Sequence, residues 1–166
     1  KEIKNLPSAN QVAKYGGERL VLKSANIIGK LLHESGYNLN FAPVLDINKY
    51  EKQKAIGDRS YSDDKKKVAK YGVATMKELQ KNDIISVIKH FPGHGATKQD
   101  SHYFLPIINE SMKKIESEDM YPFEQAIENG ADALLVGHLL IRGVTGIYPA
   151  SLSRKFITKY IRRKYR

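Results

Sequence analysis

The chain has 166 residues, 41% hydrophobic and 28% charged, a composition that suits one ordinary globular core and excludes a disordered segment. No run approaches the roughly 18 apolar residues of a bilayer span, and the opening KEIKNLPSAN lacks an apolar signal-peptide core, so neither kind of segment is expected in it. The absence of cysteine excludes disulfide and thiolate chemistry and leaves a cytoplasmic and a secreted location both open, while eight of the net +10 charges follow Asp132, after which no acid occurs.

In chain order, residues 9–35 read as a helix with Leu20, Ile27, Ile28, Leu31 and Leu32 on one stripe and Gly36 as its stop. The compact segment LNFAPVLDI, 39–47, is a strand. The polar connection GDRSYSDD, 57–64, leads into a second helix over 63–82, with Ser62 or Asp63 as N-cap. The β-branched run IISVIKH, 84–90, is the next strand and ends in a stretch rich in histidine. Residues 111–130 read as helix interrupted at Pro122 and stopped by Gly130. A third strand, DALLVGHLL, follows at 132–140, and a last helix begins near Ser153. On that helix Phe156, Ile157, Tyr160, Ile161 and Tyr165 share an apolar face that requires a wall to pack on, which places the terminal cations on its solvated side. A phosphate-tracking patch is the alternative for those cations, and a nucleic-acid partner is not expected.

Apolar strands separated by helices imply parallel pairing with crossover helices. Polar residues stand at each strand's carboxyl end: Asp46 after the first, Lys89 and His90 after the second, His138 at the third. A (β/α)8 TIM barrel builds its site at that end, and no glycine-rich phosphate loop suggests a dinucleotide fold. A complete barrel takes about 250 residues. Residues 1–166 are therefore expected to be a fragment of a single larger α/β domain, a partial barrel.

The stretch KHFPGHGATKQDSH, 89–102, holds three of the five histidines. Three readings compete for it. A polar turn with satisfied histidines is the plainest, and it suits His33, which sits beside Glu34 at a helix end. A metal site is the second, because His90 and His94 are four apart and His102 and His138 could complete a shell. That spacing aligns ligands only on a helix, and Pro92, Gly93 and Gly95 oppose one. Proton transfer on a bound polar substrate is the third. Histidine titrates near neutrality, and Asp100, two residues before His102, is placed to fix a ring tautomer and raise its basicity.

KHFPGHG followed by DSH resembles the signature of family 3 glycoside hydrolases, in the bacterial β-N-acetylglucosaminidase (β-N-acetylhexosaminidase) branch. LNFAPVLDI at 39–47, GDRSYSDD at 57–64, YPFEQAIENGADALLVGH at 121–138 and YPASLS at 148–153 resemble the family in the same order. The resemblance implies a glycosidase that needs no cofactor and takes an oligosaccharide substrate. It implies that His102 is the general acid/base and Asp100 its partner. Arg59, Lys89 and His90 would hold sugar hydroxyls, Asp46 and His138 would line the same pocket, and His94 would shape the loop. The family's nucleophile is an aspartate on the strand after the helix near Ser153, beyond the last residue here, so this stretch alone is expected to be inactive. Another family 3 activity such as β-glucosidase, or a non-catalytic sugar- or metal-binding fragment, stays open as an alternative.

Overall fold

A computed structural model describes residues 6–49, 55–95 and 105–165; Asp100 and His102 lie outside the described residues. Helix α1 (Ala9–Glu34) is capped by Ser8, whose hydroxyl accepts from the Gln11 N–H while the Gln11 side chain returns a bond to the Ser8 N–H. It is not the continuous helix expected from its stripe. Gly17 takes φ 56°, ψ −154° inside it, a conformation open to glycine, and the helix kinks there. Strand β1 (Leu39–Asn40) follows, then a 3₁₀ turn Gly57–Arg59 and helix α2 (Lys65–Lys81), capped by Asp64.

Strand β2 (Ile85–Phe91) lies at the centre of a three-stranded parallel sheet, between β1 and strand β4 (Ala133–Val136). The first strand is shorter than the sequence suggests. Pro43 has no N–H to give the ladder, so regular pairing with β2 stops after Asn40 ↔ Ser86. The chain nevertheless stays alongside: the Ser86 hydroxyl donates to the Ala42 carbonyl at 2.7 Å and the Leu45 N–H to the Lys89 carbonyl at 2.8 Å. This carries Asp46 to the end of β2.

The third expected strand divides in two. Residues 133–136 pair with β2, whereas β5 (Leu140–Ile141) pairs in parallel with β3 (Ile107–Ile108) as a separate small sheet. The helix expected over 111–129 also divides, into α3 (Met112–Ser117) and α4 (Tyr121–Glu128), with Pro122 in the first turn of α4, where a missing N–H costs nothing. Among the described residues all strand pairs are parallel, and helices lie in the chain between the paired strands, as in part of a (β/α)8 barrel. Among the described residues no helix is long and apolar enough to cross a membrane.

The last helix finds its wall inside the chain. Its first part is a π-helix (Lys155–Ile161) that continues into α5 (Arg162–Lys164). Phe91, fully buried at the end of β2, stacks on Phe156 at 6.0 Å between ring centroids and meets Phe123 and Tyr165 edge-on at 5.4 and 6.0 Å. Such pairs add about 0.5–1.5 kcal/mol each beyond the area they bury. The cations behave in two ways. Lys155, Lys159, Arg162 and Arg163 are exposed, but Lys164 binds Glu124 at 2.8 Å and Glu116 at 3.3 Å. Tyr160 and Tyr165 donate to the same two carboxylates, so α3 and α4 hold the chain's end by a polar clamp around the aromatic stack.

Candidate active site

Asp46 organises the strand-end cluster. It is completely buried, and its carboxylate accepts from the His94 N–H at 2.6 Å, from His90 Nδ1 at 2.7 Å and from the His90 N–H at 3.3 and 3.4 Å. A buried carboxylate is tolerated only with such donors around it. Because a carboxylate only accepts, the proton of this contact sits on His90 Nδ1, which leaves Nε2 as the ring's other functional atom.

The sequence produces this by an irregular strand end. β2 pairs with β4 through Lys89 ↔ Leu135 and then Phe91 ↔ Val136, so one residue, His90, falls outside the register. Such irregularities re-aim a side chain, here toward Asp46, while Phe91 returns to the core. The Lys89–His90, Phe91–Pro92 and Ala42–Pro43 peptides are cis. The histidines therefore do not share a helix face. Their rings stand 6.2 Å apart at 69°, and no group of three His, Asp or Glu among the described residues is arranged to hold a metal ion. His94 is almost fully buried and contributes its backbone N–H to Asp46.

Arg59 and Lys89 join this cluster. The Ser60 hydroxyl, fully buried, shares its one proton between the backbone carbonyls of Asp46 at 2.7 Å and Ser62 at 3.0 Å, and pins the GDRSYS segment to the strand end. Arg59 immediately precedes it, exposed, with its guanidinium donating to the Ala55 carbonyl. Burial, and after it the positive charge of Arg59, push the Lys89 ammonium below the ordinary lysine value, while Asp46 pulls the other way. Lys89 thus feels both Arg59 and Asp46 where the sheet ends, and Asp46 in turn holds His90.

His138 is placed differently. It is exposed, and its Nδ1 lies 2.9 Å from the Ser151 hydroxyl. Its neighbour Gly137 abuts the cluster: a Cβ there would lie 3.5 Å from the His90 Cβ. The sequence reading missed Ser60, Lys49 and Asp119. Ser60 stood in the quoted GDRSYS and Asp119 just before the expected Pro122 break, but neither position has a spacing that reveals its partner. Lys49 Nζ meets the buried Asp119 carboxylate at 2.7 Å across 70 residues of sequence.

The turn also leaves no room at Gly95, where a Cβ would overlap the Ile47 carbonyl oxygen. Gly95→Ala is therefore expected to displace the turn and destabilise the full protein by about 1–3 kcal/mol, the usual cost of overpacking a filled site. Urea unfolding measures it, and an unchanged midpoint would mean that the turn does not close on Ile47.

The Glycosyl hydrolase family 3 N terminal domain profile matches residues 1–166. Beta-hexosaminidase A of Pseudoalteromonas piscicida is 33% identical over 158 residues, covering 88% of this chain and 26% of that protein. Beta-hexosaminidase of Xylella fastidiosa (strain M23) is 34% identical over 143 residues, covering 86% and 42%. The chain thus spans about a quarter to two fifths of the length of these curated relatives. Among solved structures, a family 3 β-N-acetylglucosaminidase from Paenibacillus sp. str. FPU-7 superposes with a TM-score of 0.88 at 36% identity, over 95% of this chain and 30% of that one. Native NagZ from Neisseria gonorrhoeae gives 0.85 at 30%, over 99% and 49%.

Proposed function

Because this chain belongs to glycosyl hydrolase family 3, matching its N-terminal domain throughout, we propose that residues 1–166 form the central part of the catalytic barrel of a retaining exo-β-N-acetylglucosaminidase. Its substrates are peptidoglycan-derived or chitin-like oligosaccharides with a β-linked N-acetylglucosamine at the non-reducing end. The observation that carries the pocket is the Asp46 cluster, with His90 and the His94 turn bonded to one buried carboxylate and Lys89 and Arg59 beside it. Relatives bearing the names beta-hexosaminidase and β-N-acetylglucosaminidase support the choice of sugar.

In this reading Arg59, Lys89 and His90 grip sugar hydroxyls through charge-assisted hydrogen bonds, and Asp46 fixes the imidazole that does so. His138 lines the edge of the same pocket. His102, oriented by Asp100, protonates the departing glycosidic oxygen while an aspartate from outside these 166 residues attacks the anomeric carbon. His102 then takes a proton from water as that water displaces the aspartate and restores the β-anomer.

The test is hydrolysis of p-nitrophenyl N-acetyl-β-glucosaminide by the full protein, with NMR of the first-formed anomer. Release of the β-anomer, with a marked preference over p-nitrophenyl β-glucoside, is expected. Preference for the glucoside would replace the proposed substrate by that of a β-glucosidase, α-anomer release would exclude the double displacement, and binding of N-acetylglucosamine without turnover would reduce the protein to a sugar binder.

A further inference from the structure

The outer face of the last helix carries a row of unpaired cations. Phe156, Tyr160 and Tyr165 turn inward, to Phe91 and to one another, which leaves Arg154, Lys155, Lys159, Arg162 and Arg163 exposed on the other side. Among the described residues none of these five has an ion pair. The carboxylates within reach of the helix, Glu116 and Glu124, are taken on its inner side by Lys164, Tyr160 and Tyr165, and no acid follows Asp132.

This placement works against the helix. Like charges one turn apart, as at 155, 159 and 163, repel each other. The amino end of a helix carries a partial positive charge, so Arg154 and Lys155 stand where cations are least favourable, with no acid in the first turn to offset them. Only Arg162 and Arg163, at the carboxyl end, are placed as stability would have them.

Apolar side chains project beside the row. Leu152, two residues before Arg154, is 67% exposed, and Ile147 and Tyr148 in the same loop are 82% and 58% exposed. The loop is bonded down: the Ala150 N–H donates to the Leu139 carbonyl at 2.7 Å and the Ser153 hydroxyl to the Thr145 carbonyl at 3.4 Å. Cations next to projecting aliphatic and tyrosine side chains match a bilayer surface, where headgroup phosphates take the charges and the interface takes the apolar groups. A nucleic acid matches less well. The helix's own rings are engaged in the core, so none remains among the cations for a base to stack on, and phosphates offer Leu152 and Ile147 nothing to bury in.

We infer that the outer face of the last helix and the loop before it dock the protein reversibly onto an anionic phospholipid surface. The contact needs no membrane span and does not depend on the sugar chemistry.

Co-sedimentation of the full protein with vesicles tests this. Phosphatidylcholine vesicles with an equal share of phosphatidylglycerol should bind it, phosphatidylcholine alone should not, and added salt should release it. At about five-fold per cation, Lys155→Gln/Lys159→Gln/Arg162→Gln/Arg163→Gln should weaken binding by about 10²-fold or more, with hydrolysis and melting temperature at the parental level. Lys23→Gln/Lys30→Gln/Lys66→Gln/Lys77→Gln removes the same charge from exposed positions on α1 and α2 and should weaken it by less than about ten-fold. Leu152→Ser should lose several-fold on vesicles and nothing on a short DNA duplex. If the quadruple helix variant fails to fold, Arg154→Gln/Lys155→Gln takes its place, with an expected loss of about 25-fold. Equal weakening by the two quadruple variants would reduce the binding to net charge and overturn the inference. So would tighter binding to the duplex than to the vesicles, or unchanged vesicle binding by Leu152→Ser. Failure of the unsubstituted protein to hydrolyse the substrate bears on the proposed function alone, because sedimentation is read without turnover.

Discussion

His102→Ala in the full protein is expected to cut turnover of an N-acetylglucosaminide by about 10²–10⁴-fold, the range for loss of a positioned general acid/base, while leaving the melting temperature unchanged. The deficit should depend on the leaving group. A dinitrophenolate departs without help, so on that substrate the first step should recover much of its rate, and release from the covalent intermediate, which still needs a base, should become limiting. Burst kinetics would show this directly. Asp100→Asn should give a milder loss, since the imidazole remains and only its orientation and basicity suffer. Equal turnover by His102→Ala and the parent would remove His102 from the mechanism.

The second large effect is at Asp46. Asp46→Ala strips acceptors from the His90 and His94 N–H groups and from His90 Nδ1 together. Each buried donor left unsatisfied costs about 1–3 kcal/mol, so a loss of several kcal/mol in urea unfolding is expected along with abolished activity. Asp46→Asn keeps the shape and one acceptor oxygen, but its amide nitrogen must face an N–H. It should therefore be less destabilised than the alanine variant and still severely impaired in KM and kcat. An Asp46→Ala protein with a parental midpoint would show that this carboxylate does not organise the turn.

Much of the site was legible because it is written locally. The strand-end positions of Asp46, Lys89 and His90 follow from apolar runs that stop abruptly at polar residues, and the proline and glycines after His90 rule out a helix without reference to the rest of the chain. What the sequence withheld is long-range. Nothing in the spacing says that His90 bonds a residue 44 positions away, or that Lys49 reaches Asp119. The two-residue strands β3 and β5 are too short to show a period of two, so 132–140 read as one strand. The kink in α1 was hidden because the stripe that marks the helix, Leu20 to Leu32, lies wholly after the Gly16–Gly17 pair and cannot show a change of direction there. The wall of the last helix could not be named from sequence because Phe91, which supplies it, stands inside the KHFPGHG motif between two polar residues and the Pro92 turn.

That division between neighbours bears on how the strand-end cluster can be redesigned. Phe91 anchors three other aromatic rings, so libraries that randomise the whole KHFPGHG motif will be filled mostly with misfolded clones. Gly137 offers a better entry: an added methyl would meet the Leu139 side chain at 3.2 Å and the His90 Cβ and Phe91 carbonyl at 3.5 Å. Small side chains at 137 would press on His90 from the β4 side while the aromatic scaffold around Phe91 stays intact, which makes that position the place to begin altering the cluster.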